Sequence, residues 1–417
     1  MFAAILLVMG LSAGAASTSC IPMDSKVEVN LMPLQDNELY TLSSETKDSR
    51  QITWRYGISG SKKELMEFLK KQADRLLFEM KPLQGDRDAS YLVQPLRNNA
   101  YKIEVKNQQG EVVLAADFCR DFWTPEKSER RMVDESDLQG VFYRPKFQAK
   151  SPALIRFGGS EGGISSLEGG LLANQGIASL TVGYHRGYYN NQNLPENLVE
   201  IPVELVKRAL QWLQQQDSVD LDQIYIYGVS RGSELALLGA AHYPEIKGVI
   251  AVAPSAVVWD GLFRDKSKYK PLSSWTWQAQ ALDFVAPIWA DEFSKPRPWT
   301  YVDAFRKTLA VIPAESAAWL PVEKIQGKIL LISGTEDKLW PSAQMSEQLV
   351  ERAKKDNPTK DIVHLKYEGA GHLIGIPYLP SPLKNDTFWY GGNQDATARA
   401  SQDSWLKIIK FIKGKPL

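Results

Sequence analysis

The sequence predicts an α/β fold: a mostly parallel sheet with helices on both faces, preceded by a smaller, mostly β domain. Two observations carry the prediction. From Gly140 to the C-terminus, short apolar runs alternate with amphipathic helical stretches, the pattern of parallel strands joined by crossover helices. One of those runs, Ile224 to Val229, passes straight into the helix-forming run Glu234 to Leu238 through Gly228-Val229-Ser230-Arg231-Gly232. Upstream of Arg130 the alternation is missing. That difference sets 16–130 apart as an accessory, mostly β domain and 131–417 as the main one.

In the accessory stretch, Ile52-Thr53-Trp54-Arg55-Tyr56 alternates like a strand. Lys62 to Met80 places Leu65, Phe68, Leu69, Leu76 and Leu77 on one helical face. Tyr101 to Val105 and Val112 to Ala116 flank Asn107-Gln108-Gln109-Gly110 and predict a hairpin. Beyond Arg130 come strands at Gly140 to Pro145 and Ala153 to Phe157, then a helix from Leu167 to Gln175. A strand from Ala178 to Gly183 and a helix from Pro202 to Gln215 lead to the Ser230 segment. Further strands follow at Gly248 to Ala253, Lys328 to Ser333 and Ile362 to Tyr367, and an Ala-rich helix from Gln394 to Ile412 closes the chain. Near 257–323 an insertion holds Trp259, Trp275, Trp277, Trp289, Trp299 and Trp319, half of the 12 tryptophans. A lid with an apolar wall and the ordinary packing of a long excursion are equally good expectations for it.

Composition narrows the function classes. At 417 residues the chain can bury a large core and a smaller second one. Lys+Arg and Asp+Glu both number 49, so no basic excess marks a nucleic-acid partner. No internal stretch is long and apolar enough to span a bilayer. The 4 histidines are scattered and form no H-E-x-x-H, so neither a metal nor another cofactor is expected. The N-terminus differs. Phe2 to Leu11 is an apolar core too short to span, followed by Ala13-Gly14-Ala15. It predicts a signal peptide over 1–15 and export, periplasmic or secreted, with the cytoplasm as the location otherwise. Cys20 and Cys119 are consistent with one disulfide in an oxidising compartment, and equally with two free thiols.

The Ser230 segment carries the chemistry. Gly-x-Ser-x-Gly between a strand and a helix is the nucleophile elbow of the α/β-hydrolase fold. Glycines are needed because side chains two positions either side would crowd the turn. The turn lifts the Ser230 hydroxyl off the sheet and aims the Arg231 backbone N–H at the same point. A serine hydroxyl is a weak nucleophile, so an imidazole must take its proton and a carboxylate must hold the other ring nitrogen. The fold places these residues in the order Ser, Asp or Glu, His, on loops at the C-terminal ends of strands. Gly334-Thr335-Glu336-Asp337 offers Asp337, with Glu336 as the fallback acid, and Gly369-Ala370-Gly371-His372 offers His372. Among the other histidines, His364 lies inside a strand, His242 follows a helix, and His185 stands at a strand end but precedes the serine. The Gly158 to Gly163 loop exposes backbone N–H groups where the second oxyanion donor belongs, at Gly159 or Ser160.

Several blocks occur in a further recognisable order. They are Phe157-Gly158-Gly159, the elbow with Glu234 two residues after Gly232, and Ala253-Pro254-Ser255-Ala256-Val257-Val258-Trp259-x-Gly261. Ser273-Ser274-Trp275-Thr276, Ile332-Ser333-Gly334-x-x-Asp337-x-Leu339-Trp340-Pro341-Ser342 and Gly369-Ala370-Gly371-His372-Leu373-Ile374 complete the set. With them, the chain from about Arg131 onward resembles the bile acid-CoA:amino acid N-acyltransferase and acyl-CoA thioesterase family. The resemblance implies a Ser230, Asp337, His372 triad acting on a small-molecule acyl thioester or ester. It also implies an immunoglobulin-like domain in front, from which the helical stretch Lys62 to Met80 departs. Conjugating members use a cysteine nucleophile where this chain has serine. A peptidase of the same fold, an N-acyltransferase to an amino acid and a catalytically inactive binding module are the competing expectations, and the complete Ser-Asp-His set argues against the last.

Overall fold

The computed structural model describes residues 5–7, 20–25, 27–48, 51–73, 75–78, 80–83, 98–164, 167–187, 191–290, 292–355 and 357–417. The expected signal peptide lies outside the described residues, apart from a short strand at Ile5–Leu7.

The main sheet has eight strands: β1 (Ser128–Glu135), β2 (Leu138–Pro145), β3 (Ser151–Phe157), β4 (Ala178–Gly183), β5 (Val219–Val229), β6 (Gly248–Val252), β7 (Lys328–Gly334) and β8 (Ile362–Tyr367). Their spatial order is β8-β7-β6-β5-β3-β4-β2-β1. β2 is antiparallel to both of its neighbours, and every other pairing in the sheet is parallel. This is the α/β-hydrolase fold. Its helices are α1 (Leu167–Asn174), α2 (Leu205–Gln214), α3 (Arg231–His242), α4 (Val302–Leu309), α5 (Ser342–Lys355) and α6 (Gln394–Ile412).

Side chains alternate across the strands and so feed two cores. Ile155, Phe157, Ile226, Val249, Ala251, Ile329 and Leu331 face one side, against Leu210 of α2, Leu235 of α3 and Met345 of α5. Leu154, Tyr225, Tyr227, Ile250, Val252, Leu330 and Ile332 face the other, against Leu171 of α1 and Trp405 and Ile408 of α6. β1 adds Ser128 to Arg130 to the main sheet, upstream of the Arg131 boundary that the sequence suggests. Only Ser128 and Val133 are buried on this edge strand, so its polar sequence hides it. α2 begins at Leu205 rather than Pro202, because Ile201–Pro202 pairs with Trp275–Trp277 of the insertion.

In the accessory region, six strands run in the order Ile21–Pro22, Val112–Asp121, Asn99–Lys106, Leu39–Lys47, Thr53–Ser61 and Lys81–Pro82. The predicted hairpin is present, turning at Gly110, whose φ of 81° suits glycine. Leu39–Lys47 escapes sequence reading because Ser44 and Thr46 are buried on its inner face along with Tyr40 and Leu42. The helical stretch divides into Lys62–Gln72 and Arg75–Phe78. A capping box between Ser61 and Glu64 starts the first, and Leu65 and Phe68 bury its inner face. Cys20 and Cys119 are joined in a disulfide.

The two sheets share one core. Ile21, Met23, Leu42 and Leu65 belong to the same buried cluster as Trp405 and Ile408 of α6. Asp24 Oδ2 accepts from Trp405 Nε1 at 3.2 Å and from Gln175 Nε2 at 3.1 Å. Arg120, fully buried, donates to the Tyr378 carbonyl at 3.0 Å and to that of Met23.

Candidate active site

Ser230 stands between β5 and α3 with φ 52° and ψ −122°, a conformation that costs a non-glycine residue on the order of 1–3 kcal/mol. The neighbouring glycines make it possible by close approach. A Cβ at Gly228 would meet Gly232 O at 2.1 Å, and one at Gly232 would meet Gly158 O at 2.0 Å. The Ser230 N–H donates to Val252 O at 2.9 Å, which ties the turn to β6. Arg231 opens α3, so its own N–H has no acceptor within the helix.

The loops after β7 and β8 bring Asp337 and His372 together. Nδ1 of His372 lies 2.8 Å from Asp337 Oδ2. The carboxylate also accepts from Ser342 Oγ at 2.7 Å, Leu339 N at 2.9 Å and Trp340 N at 3.2 Å. Those donors fix its orientation, and a proton on Nδ1 leaves Nε2 as the acceptor face of the ring. Ser230, Asp337 and His372 are all buried, at 9%, 4% and 3% exposure. Among the described residues no hydrogen bond joins the Ser230 hydroxyl to His372.

The other candidates lie elsewhere. Glu336 is exposed and paired with Lys338 at 3.1 Å. Nε2 of His364 bonds Ser333 Oγ at 2.7 Å, and burial lowers its pKa to about 4. His242, the last residue of α3, stacks on Trp277 with ring centres 3.8 Å apart. His185 is buried beside the Gly158 to Gly163 loop, and burial lowers its pKa to about 4. On that loop Gly159 is buried and Ser160 exposed. Sequence reasoning passed over Glu161, whose Oε1 accepts the Gly159 N–H at 2.9 Å. An acid set among glycines beside the expected oxyanion donors was the signal for it. Among the described residues no three His, Cys, Asp or Glu side chains form a metal-binding group.

The Trp-rich insertion is anchored to α3 by a buried network. Arg231 donates to Asp260 O at 2.7 Å and to Ser274 Oγ, and its Nε lies 3.2 Å from Glu234 Oε1. Glu234 Oε2 accepts from Trp275 Nε1 at 2.9 Å and Trp259 N at 3.2 Å. Burial raises the Glu234 pKa to about 7, although Arg231 and these donors pull it down. Glu234→Ala leaves Arg231 buried without its counter-charge. It is expected to lower stability by about 3–5 kcal/mol, measured as a fall in the denaturant midpoint. From this anchor a chain of aromatic rings reaches the site. Phe305 packs on Trp259, Trp289 and Trp340, with centres 4.6, 5.9 and 5.8 Å away, and Trp340 lies 5.9 Å from the His372 ring. The insertion is therefore core at Trp259 and Trp275, while its Phe305 packs on Trp340 of the loop after β7, whose ring lies beside His372.

A family profile described as "BAAT / Acyl-CoA thioester hydrolase C terminal" matches residues 201–415, more than half of the chain. The chain belongs to this family. The BAAT/thioester hydrolase match takes in Ser230, Asp337 and His372 and stops short of the Gly158 to Gly163 loop. Among its relatives, the bile acid-CoA:amino acid N-acyltransferase of Mus musculus is 26% identical over 292 residues, covering 68% of this chain and 65% of that protein. Acyl-coenzyme A thioesterase 6 of Homo sapiens is 26% identical over 320 residues, covering 73% and 69%. The chain thus spans about two thirds, or 65%, of the first of these BAAT relatives. Among solved structures, a putative dienelactone hydrolase from Klebsiella pneumoniae aligns at 13% identity and a TM-score of 0.42, over 69% of this chain and 98% of that one.

Proposed function

We propose that this protein is a serine hydrolase cleaving acyl thioesters or esters through an acyl-enzyme. The observation that carries this is the His372–Asp337 pair, 2.8 Å apart, on loops that leave the same end of the parallel sheet as the strained serine at its strand-to-helix turn. In this reading His372 Nε2 takes the proton from Ser230 as Oγ attacks the acyl carbon. Asp337 holds the imidazolium that forms. The Arg231 N–H and the Gly159 N–H receive the carbonyl oxygen as it becomes negative. Gly159 is preferred to Ser160 because a Cβ on it would come within 3.3 Å of Ser230 Cβ. His372 then gives its proton to the departing thiol or alcohol, and water repeats the cycle on the acyl-serine. The aromatic wall from Trp340 to Phe305 supplies an apolar face for the acyl chain.

The relatives' names favour a second reading, transfer of the acyl group to an amino acid. Serine chemistry weighs against it. An oxygen ester is less reactive toward amines than the thioester of a cysteine enzyme, and water is the abundant nucleophile once His372 activates it. The expected result with an accepted acyl donor and excess glycine or taurine is free acid, read by mass spectrometry. Amide as the main product from the unmodified enzyme rejects hydrolysis as the function. The donor panel should hold acyl-CoAs, p-nitrophenyl esters and short peptides, since a peptidase uses the same residues. We also propose export. The Cys20–Cys119 disulfide supports an oxidising compartment. There, carboxylic esters are better placed as substrates than cytoplasmic CoA thioesters.

A further inference from the structure

Glu161 has no part in the mechanism above, yet its carboxyl sits in the middle of the site. Oε1 takes the Gly159 N–H at 2.9 Å, the same donor assigned to the oxyanion hole. A Cβ built on Gly159 would stand 2.7 Å from Glu161 Oε2 and 3.3 Å from Ser230 Cβ, so the carboxyl and the serine crowd one point in space. The Tyr184 hydroxyl bonds the Gly158 and Gly159 carbonyls at 2.9 and 2.7 Å and fixes the orientation of the loop. Among the described residues no cation pairs with Glu161. Arg156 is engaged by Glu168 at 2.9 Å and Arg231 by Glu234 at 3.2 Å. Loss of water around the Glu161 carboxyl raises its pKa, the nearby Glu168 adds to the rise, and His372 opposes it. A carboxyl without a counter-charge is held here by the backbone donor it occupies.

We propose that the Glu161 carboxyl is the resting occupant of the oxyanion hole, a plug that the substrate carbonyl displaces before Ser230 attacks. The proposal rests on the reading of Ser230 as nucleophile and the Gly159 N–H as oxyanion donor. Its physical basis is that a carboxylate oxygen and a tetrahedral oxyanion are the same kind of acceptor. An N–H preorganised for one serves the other until substrate arrives. Substrate must then compete for the hole, which weakens ground-state binding and raises KM.

The test compares wild type, Glu161→Ala and Glu161→Gln by their second-order rates of fluorophosphonate labelling at Ser230. It adds kcat and KM on an accepted ester, and thermal midpoints to show that each variant folds. The phosphoryl oxygen of the probe needs the same donors as the substrate. Glu161→Ala should label about tenfold faster, the worth of one hydrogen bond to a charged group, with the gain in kcat/KM appearing in KM. A residue that merely props the loop would give the reverse, slower labelling and a lower kcat. Glu161→Gln keeps an uncharged acceptor on the Gly159 N–H and should fall between the two. It also decides the matter if the alanine variant does not fold, since labelling no faster than wild type then overturns the plug. A folded Glu161→Ala that labels at the wild-type rate or slower overturns it as well. Wild type that does not label at all overturns the serine reading, and the plug with it.

Discussion

Ser230→Ala is expected to abolish fluorophosphonate labelling and to lower turnover by on the order of 10⁶-fold, leaving only what the binding site does without a nucleophile. The fold should survive the change. The backbone at φ 52° is held by the close approach of Gly228, Gly232 and Gly158 and by the bond to Val252 O, none of which involves the hydroxyl. Circular dichroism and the unfolding midpoint should match wild type. Labelling that persists in the alanine variant moves the nucleophile elsewhere on the chain.

His372→Ala should cost nearly as much as Ser230→Ala, because the two residues act as a unit and removing either leaves the same residue of activity. Asp337→Asn should cost ~10⁴-fold, since an amide in place of Oδ2 leaves the ring in the wrong tautomer. The donors that surround Asp337, Ser342 Oγ and the Leu339 and Trp340 N–H groups, are suited to a carboxylate, so the variant also loses their orienting effect. His185→Ala is the control. That ring is buried, with its pKa lowered to about 4, and its loss should disturb the loop far less than the loss of His372 disturbs the chemistry. Equal damage from the two histidine variants would show that the assignment of roles is mistaken.

The parallel half of the main sheet was legible because buried strands are continuous apolar runs, and Ile224 to Val229 or Lys328 to Ser333 cannot be mistaken for loops. The site candidates were legible for a related reason. Ser230 and Asp337 follow such runs within three residues, and His372 lies five residues past the more polar strand Ile362–Tyr367, so locating the strands locates the loops. Edge strands gave no such signal. Ser128–Glu135 buries two residues, and Leu39–Lys47 turns hydroxyls inward. The break in the helical stretch at Ala73 was invisible, because Leu65, Phe68, Leu76 and Leu77 keep the right spacing across it. At the site, Glu161 was missed because its role depends on a backbone N–H, and sequence patterns report side chains. The insertion was undecidable for a different reason: Trp259 and Trp289 are the same residue type, one fully buried and the other 39% exposed.

The shared core has a consequence for how the molecule can be divided. Trp405, Ile408 and Ile409 of α6 belong to one buried cluster with Ile21, Met23 and Leu42 from the accessory sheet. Asp24 caps the Trp405 indole, and Arg120 holds the loop at Tyr378, six residues beyond His372. A truncation that began at Ser128 would therefore strip the cover from α6 and withdraw a tether from the segment that follows the histidine. The accessory strands thus form an outer layer over α6, and their loss is expected to expose Trp405 and to loosen the segment that follows His372.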